Sequence, residues 1–366
     1  MRNPYPLIQI RLGLRCSIFF NCMTMSKNIQ YGIGMRTQYA AGFDMREGFL
    51  EQLDQARLAE TLGFDSLMKN SHFAGYPLQE FQQLPFLGRI MAEAPGLRLL
   101  TGVLLLALHK PLDIAEQLAS IDVMSGGKLI FGCGLGYREV EFKGFGTTQR
   151  ERVPRFRENL EAIKRLWTED NVSMKGSHFE LADATLSLKP MQKPTPPIWM
   201  GANADAAIER AAELADVWFI NSHQRMDTIE RQVELYKRAL DKFDKPFPDE
   251  VPIAREILIA NSREEAIRIA RPFLEEKYKI YHQWGQDKAM PKGDDNLALD
   301  YDELLEDRFM LGSPAEIAEQ IIAQNKQCGI NHIVLQFHWV GIPQGLVLDS
   351  MTRFAEEVRP LVEQGL

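Results

Sequence analysis

The sequence lacks the short motifs by which several enzyme classes are recognised. Its 366 residues contain no G-x-x-x-x-G-K-[ST] loop, no H-E-x-x-H pair and no G-x-S-x-G elbow. The seven histidines are scattered and show no metal-ligand spacing. These absences argue against a P-loop nucleotidase, a zinc protease and a serine hydrolase, and we expect no bound metal.

The chain also lacks a net positive charge and paired cysteines. The formal net charge is -8 at pH 7, which argues against a nucleic-acid partner because phosphate neutralisation requires a basic surface. Cys16, Cys22, Cys133 and Cys328 show no paired spacing, so we expect free thiols in a reducing, cytoplasmic location. No run approaches the roughly 18 apolar residues that a membrane helix needs, so we expect no membrane partner.

Acidic residues are missing from the beginning of the chain. None occurs before Asp44, and the apolar stretch at residues 18–20 is too short for a secretory signal. We therefore expect residues 1–24 to be a disordered extension or a misassigned start. The folded part is expected to span residues 25–366.

The rest of the chain alternates between strand-like and helix-like segments. Strand-like runs lie at residues 29–35, 64–68, 97–108, 129–133, 198–200, 217–220, 253–260 and 332–337, and a helical pattern follows each of them. Such alternation favours a parallel sheet covered by helices. Eight units favour an α/β fold of the (β/α)8 TIM barrel type over an open doubly wound sheet.

Two segments interrupt the alternation. Residues 171–197 contain short strand-like pieces and four prolines, which indicates an inserted hairpin and linker. Residues 287–307 are polar, acidic and rich in helix breakers, which indicates a mobile excursion over one face and a candidate lid. We therefore expect one barrel domain with insertions at about residues 171–197 and 287–307.

The end of the second predicted strand carries polar residues that suit chemistry. Asn70 and Ser71 precede His72 there. His72 could serve as an acid or base, or it could be a loop histidine with only a structural partner. Lys69 lies at the same end and could suggest Schiff-base chemistry, but a solvated loop lysine is the expected state.

Two further strand ends suit a cofactor. A glycine-spaced turn, Gly132-x-Gly134-x-Gly136, follows the fourth predicted strand; it would let the backbone approach a flat ring or a phosphate, although a simple tight turn also fits. Residues 201–203 precede the helix predicted from residue 206, and a helix start suits a phosphate. Asn203 could instead be an ordinary N-cap, and Asp205 would repel a nearby anion. Together these ends predict a flavin-type site at the mouth of a barrel.

Three blocks of the chain resemble the bacterial-luciferase-like family of flavin-dependent oxidoreductases in order and spacing. They are TGVLLLALHKPLDIAEQLASIDVMSGGKLIFGCGLGYREVEFKGFG, RFRENLEAIKRLWT and PPIWMGANADAAIERAAELADVWF. The resemblance implies a luciferase-like TIM barrel, usually dimeric or larger. It also implies reduced FMN, or the related deazaflavin coenzyme F420, at the carboxyl ends of the strands.

The resemblance also assigns residues. It places a non-proline cis peptide at Gly102–Val103 under the flavin ring, with backbone contacts from residues 135–137 and the phosphate at residues 201–203. Deazaflavin-dependent sugar-phosphate dehydrogenases have a glutamate where this chain has Tyr137, which weakens a dehydrogenase of that type. The expected cofactor-binding residues are Asn70, Gly102, Val103, Leu135, Gly136, Tyr137, Gly201, Ala202 and Asn203, and the catalytic candidate is His72.

The resulting hypothesis is a two-component flavin monooxygenase. A separate flavin reductase would supply reduced FMN, and oxygen would be used to oxygenate a small organic substrate in a dry pocket. One alternative is hydride transfer with F420 and no oxygen consumption. A second alternative is a non-catalytic barrel that binds flavin without turnover. We expect a homodimer or a higher homo-oligomer.

Overall fold

The alternation seen in the sequence becomes an α/β fold in the computed structural model, which describes residues 29–305 and 307–366. The expectation for residues 1–24 lies outside the described residues. The strands are β1 (Gln30–Met35), β2 (Gln38–Ala40), β3 (Ser66–Lys69), β4 (Leu78–Glu80), β5 (Arg98–Thr101), β6 (Leu104–Leu105), β7 (Leu129–Gly134), β8 (Val172–Lys175), β9 (Glu180–Ala184), β10 (Ile198–Gly201), β11 (Val217–Phe219), β12 (Pro252–Ile259), β13 (Met310–Gly312) and β14 (His332–Gln336).

Helices connect most of these strands. They are α1 (Met45–Thr61), α2 (Gln83–Ile90), α3 (Pro111–Met124), α4 (Glu139–Gly144), α5 (Arg152–Thr168), α6 (Asp205–Leu214), α7 (Met226–Lys242), α8 (Arg263–Gln283), α9 (Tyr301–Leu304), α10 (Pro314–Cys328), α11 (Gln344–Arg353) and α12 (Arg359–Gly365). No helix in the described ranges is long and apolar enough to cross a membrane.

Nine parallel strands form one curled sheet in the order β11-β10-β7-β5-β3-β1-β14-β12-β13. The sheet closes because Ile220, directly after β11, meets β12, the strand next to the other end of this order. The N–H of Ile220 donates to the Pro252 carbonyl and the N–H of Ala254 donates to the Ile220 carbonyl, both at 3.0 Å. The architecture is therefore TIM-barrel-like. Each of the eight predicted strand runs coincides with a strand of this sheet, and β13 is the addition that the sequence did not reveal.

The predicted run at residues 97–108 is not one strand. It divides into β5, a cis peptide at Gly102–Val103, the two-residue β6 and a short 3-10 helix at Leu106–Leu108. The cis peptide placed by the family resemblance is confirmed. The sequence pattern predicts one long strand because residues 104–108 are all buried. A buried turn is as rich in apolar residues as a buried strand, so hydrophobicity alone does not separate the two.

Local capping explains several helix boundaries. Asp44 caps α1 by accepting the N–H of Arg46 at 2.8 Å. The Ser-Pro-Ala-Glu sequence at residues 313–316 predicts a capping box, and Ser313 with Glu316 forms it at the start of α10. The helical pattern at residues 346–362 predicts one terminal helix, but a π-helical turn at Phe354–Val358 interrupts it. The helical pattern at residues 81–94 predicts a longer helix than α2, which ends at Ile90.

The two predicted insertions are present with altered details. The hairpin consists of antiparallel β8 and β9. The strand-like pattern at residues 184–188 predicts the second strand, but β9 lies just before it and ends at Ala184. Residues 287–305 contain little regular structure besides α9, but they are anchored by the buried side chains of Met290, Leu297 and Tyr301. This segment lies against the carboxyl ends of the sheet, where Lys288 and Ala289 line a cavity.

A small apolar cluster fills the space enclosed by the curled sheet. Its members come from seven different strands and are Met68, Leu100, Ile130, Trp199, Val217, Phe219, Ala254 and Val334. A much larger cluster packs the outer face of the sheet against the helices. Because the inner cluster closes the centre, the open space lies above it, at the carboxyl ends of the strands.

Candidate functional site

The carboxyl ends of the strands surround one cavity, and Met68, Phe219 and Ala254 of the inner cluster form part of its lining. All ten site residues predicted from the sequence line this cavity. They are Asn70, His72, Gly102, Val103, Leu135, Gly136, Tyr137, Gly201, Ala202 and Asn203. The structure thus brings together residues that are spread over four separate strand ends.

One wall of the cavity is made largely of backbone. A Cβ atom on Gly102 would overlap the side chain of Met68, and a Cβ on Gly134 would lie 2.7 Å from Val103 Cγ2. Gly136 has a φ of +78°, a backbone conformation that side chains disfavour. This wall therefore requires glycine, and its flat surface suits a planar ligand.

The cavity also includes the start of α6. Ala204 is the N-cap residue, and no side chain accepts a hydrogen bond from the first turn of α6. The interpretation of Asn203 as an ordinary N-cap is therefore wrong. Arg152 and Lys288 line the same cavity. An uncapped helix start with two cations in the lining suits a phosphate group.

Asp205 does not present a free negative charge to this region. Its carboxylate forms two hydrogen bonds with Arg231 of α7, at 2.8 and 3.0 Å, and a third with Gln232 at 3.0 Å. The Arg231 hydrogen bonds are the main cause of a lowered pKa for Asp205. The objection that Asp205 would repel an anion is therefore answered by its pairing with α7.

His72 has a buried partner that sequence reasoning missed. Its Nδ1 lies 3.1 Å from Oε1 of Glu141, which also accepts the N–H of Phe73 at 3.0 Å and a hydrogen bond from Arg138 at 3.3 Å. Oε2 of Glu141 is buried with no hydrogen-bond partner among the described residues. His72 thus combines a structural partner with a place in the cavity wall.

Aromatic rings continue this side of the cavity. The ring of His72 meets those of Tyr137 and Trp284 edge to face, with centroids 5.9 and 5.2 Å apart, and Arg138 lies 4.0 Å above the Trp284 ring. The Tyr137 hydroxyl is buried without a partner in the described part of the chain. Burial raises the pKa of Tyr137 well above its usual value. The phenol is therefore neutral and can donate a hydrogen bond to a ligand.

Lys69 contradicts the expectation of a solvated loop lysine. Its side chain is fully buried, and Nζ lies 2.7 Å from Oε1 of Glu80 and 2.8 Å from the Asn70 carbonyl oxygen. It does not line the cavity, which removes the basis for Schiff-base chemistry. The expectation failed because Glu80 lies on β4, a short strand that the sequence pattern did not reveal.

The side of the cavity next to β1 was not anticipated at all. Arg36 donates to Oε1 of Gln336 through Nε at 2.8 Å and to the hydroxyl of Tyr281 through Nη1 at 2.9 Å. His223, which follows β11, has its Nδ1 3.0 Å from the Tyr278 hydroxyl. Burial lowers the pKa of His223 well below its usual value, and nearby cations reinforce this. His223 is therefore a neutral imidazole in the cavity wall.

The chain is similar to known proteins along most of its length. The family model for luciferase-like monooxygenases matches residues 23–332. The FMNH2-dependent dimethylsulfone monooxygenase of Pseudomonas putida is 27% identical over 328 residues, covering 84% of this chain and 86% of that protein. The F420-dependent glucose-6-phosphate dehydrogenase of Amycolatopsis mediterranei is 26% identical over 320 residues, covering 84% and 93% respectively.

A solved structure supports the fold. The crystal structure of monooxygenase RslO1 from Streptomyces bottropensis superposes with a TM-score of 0.74 at 24% sequence identity. The match covers 91% of this chain and 99% of that one.

Proposed function

We propose, from the premise that this chain belongs to the luciferase-like monooxygenase family, that it uses reduced FMN and oxygen to oxygenate a small organic substrate. The observation that carries the proposal is one cavity that joins a glycine-backbone wall to an uncapped helix start. The relative named as an FMNH2-dependent monooxygenase supports the choice of cofactor.

The residues of the cavity fit a flavin phosphate. Among the described residues that line it, none is Asp or Glu, whereas Arg152 and Lys288 are cationic. The unpartnered hydroxyl of Tyr137 is a donor suited to a polar edge of a ring. A ligand with an anionic tail and a flat polar ring fits the cationic side chains, the lack of carboxylates and the free hydroxyl of Tyr137.

The cofactor positions follow from this fit. Residues 201–203 and the first turn of α6 would hold the phosphate, and residues 135–137 with Gly102 and Val103 would border the ring, close to Asn70. Reduced FMN, when bound, supplies the electrons with which oxygen is activated. The chain would contribute binding, orientation and a dry floor formed by Met68, Phe219 and Ala254.

His72 would be the residue that handles protons at the substrate. It lines the cavity while its Nδ1 is held by buried Glu141. The partnership fixes the ring orientation, and the remaining nitrogen can exchange a proton with a ligand.

We further infer the assembly in which this chemistry takes place. The hydrogen bonds between Ile220 and β12 support an eight-strand (β/α)8 barrel, with residues 25–366 as one domain. A separate flavin reductase would supply reduced FMN, and the barrel would act as a homodimer or larger oligomer. Cys133 and Cys328 are buried free thiols, which fits a cytoplasmic setting.

A second candidate function is hydride transfer with F420. A relative with that cofactor in its name has similar coverage, and the pairing of His72 with Glu141 offers acid–base chemistry that such a reaction also needs. Tyr137 in the position of the family's dehydrogenase glutamate argues against the sugar-phosphate type. Flavin binding without catalysis is the remaining possibility, and the polar residues at the end of β3 argue against it.

Anaerobic titration with reduced FMN and reduced F420, followed by admission of oxygen, tests the proposal. We expect tight binding of reduced FMN and a rapid change in flavin absorbance once oxygen is present. Tight F420 binding without oxygen consumption would overturn the monooxygenase in favour of hydride transfer. Binding of neither cofactor would contradict the flavin site itself.

A further inference from the structure

Arg36 is a buried cation with no counter-ion among the described residues. It follows β1, its exposed fraction is 8%, and it lines the cavity. Its hydrogen-bond partners are the side-chain oxygen of Gln336 and the hydroxyl of Tyr281, both of which are neutral. No carboxylate of the described residues forms an ion pair with it.

This arrangement leaves part of the guanidinium free. The three hydrogen bonds of Arg36 use three of its five N–H donors. Removing a charge from water is expensive unless an opposite charge or further hydrogen bonds compensate it. The planar fork of donors matches the two oxygens of a carboxylate or a sulfonate.

The neighbouring groups do not supply the missing negative charge. Glu256 is buried but already pairs with Lys277. Tyr281 and His223 face each other with ring centroids 5.5 Å apart, and His223 is neutral for the reasons given above. The charge near this side of the cavity is therefore positive.

The position of Arg36 separates it from the phosphate site. In the sheet order β1 and β10 are separated by β3, β5 and β7 on one side. On the other side β14, β12 and β11 lie between them, joined through Ile220. Arg36 and Gly201 therefore lie on opposite sides of the cavity mouth.

We propose that Arg36, oriented by Gln336 and Tyr281, binds the acidic group of the substrate, which is a small organic acid carrying a carboxylate or a sulfonate. The proposal rests on the proposed function, because it gives the anion site at residues 201–203 to the cofactor phosphate. The organic part of the acid then lies over the inner apolar cluster, between Arg36 and the flavin.

Calorimetric titration of the FMN-loaded protein tests this with matched probes. Benzoate is compared with benzamide, and methanesulfonate with methanesulfonamide, so that each pair differs mainly in charge. We expect the acids to bind at least about tenfold more tightly than the amides, as a charge-assisted hydrogen bond requires. The larger of the two acid-to-amide affinity ratios distinguishes carboxylate from sulfonate substrates.

Variants locate the effect. Arg36→Gln should weaken acid binding by about 10- to 100-fold and leave amide and FMN binding unchanged. Arg36→Lys, which keeps the charge but loses the fork, should weaken acid binding less. Arg152→Gln should have the opposite effect: it should weaken FMN binding and leave benzoate binding unchanged. Thermal unfolding of each variant checks that it is folded. If a variant does not fold, the comparison of acid with amide binding in the unaltered protein still tests the proposal.

Two results would overturn the proposal. One is equal affinity for acids and amides, and the other is a loss of FMN rather than benzoate affinity in Arg36→Gln, which would assign Arg36 to the cofactor. Failure of the unaltered protein to bind FMN would instead count against the proposed function. Benzoate titration of the flavin-free protein then still decides whether Arg36 binds acids.

Discussion

Nδ1 of His72 lies 3.1 Å from Oε1 of Glu141, although 69 positions separate the two residues in the chain. The contact joins the loop after β3 to α4. An ionised carboxylate can only accept a hydrogen bond, so the proton of a neutral His72 paired with it belongs on Nδ1 and leaves Nε2 as an acceptor. Glu141 therefore selects the tautomer of the candidate catalytic residue.

Replacing Glu141 by Gln should remove that selection. A glutamine carries no negative charge, so its oxygen holds the proton on Nδ1 less strongly than a carboxylate does, and the population of the other tautomer should rise. The nitrogen chemical shifts of His72 in NMR spectra report the two populations directly. The loss of the negative charge beside Arg138 should also lower the free energy of unfolding by about 1–3 kcal/mol.

Glu139→Gln is the matched control. Glu139 lies on the same short helix, but it is exposed and pairs with Lys143 at 3.7 Å. This variant should change neither the His72 tautomer nor the unfolding free energy measurably. An unaltered tautomer in Glu141→Gln would show that Glu141 has only a packing role.

The assignment of the phosphate site leads to a charge-specific prediction at Gly201. Aspartate and asparagine at this position meet the same crowding, since a Cβ would lie 3.0 Å from Val103 Cγ1. Only aspartate adds a negative charge beside the phosphate. We expect Gly201→Asp to bind FMN at least about tenfold more weakly than Gly201→Asn.

Riboflavin, which has no phosphate, supplies the control for this pair. Its affinity should be the same for Gly201→Asp and Gly201→Asn in fluorescence titrations. If FMN also fails to discriminate between the variants, the phosphate does not lie at residues 201–203.

The segment at residues 287–305 depends on a buried ion pair. Asp294 is fully buried, and its Oδ1 lies 3.0 Å from Nη2 of Arg308. Asp294→Asn leaves the Arg308 charge uncompensated, at a cost of about 3 kcal/mol. We expect amide hydrogen exchange in this variant to rise more in this segment than elsewhere, because the pair with Arg308 is a contact that its buried carboxylate makes.

Asp295→Asn serves as the comparison for the neighbouring position. Asp295 is exposed and accepts the N–H of Gly293 at 3.0 Å, which an asparagine oxygen can also do. Exchange should remain unchanged in this variant. A uniform rise in exchange across the whole chain of Asp294→Asn would argue against separate loosening of this segment.

At the opposite end of the sheet, Glu250 predicts a dependence of stability on pH. Its Oε1 lies 2.6 Å from both Nδ1 of His332 and Nη1 of Arg98. Burial alone would raise the pKa of Glu250, but the hydrogen bonds from His332 and Arg98 outweigh it and lower the pKa from 4.5 to about 2. The folded state therefore favours the ionised carboxylate.

The sign of the effect follows from this lowered value. The stabilisation by Glu250 is fully present above pH 4.5, and it disappears as the pH falls towards 2. We expect Glu250→Gln to lose about 3 kcal/mol at pH 7, with the difference from the unaltered protein shrinking in that window. Urea unfolding at several pH values measures it, with exposed Glu209→Gln as a control that should change stability by less than about 0.5 kcal/mol. A difference that does not change with pH would rule out this pairing.

Local patterns in the sequence were sufficient for much of the fold. Strand runs and helix periodicity located the eight main strands, and Ser313 with Glu316 marked the start of α10. The glycine turn and the block around Gly102 also identified the cavity wall, because backbone geometry is encoded by the residue that adopts it. The family pattern placed the cis peptide at Gly102–Val103 correctly.

The charged and polar partners of the site were decided by the tertiary structure. Glu80 reaches Lys69, Glu141 reaches His72, and Gln336 reaches Arg36 across 11, 69 and 300 positions of the chain. No local pattern marks such partners, because a charge is buried or solvated according to what the fold places beside it. The sequence therefore determined where the cavity lies, and only the packing of distant segments decided which of its charges are neutralised and which remain free for a ligand.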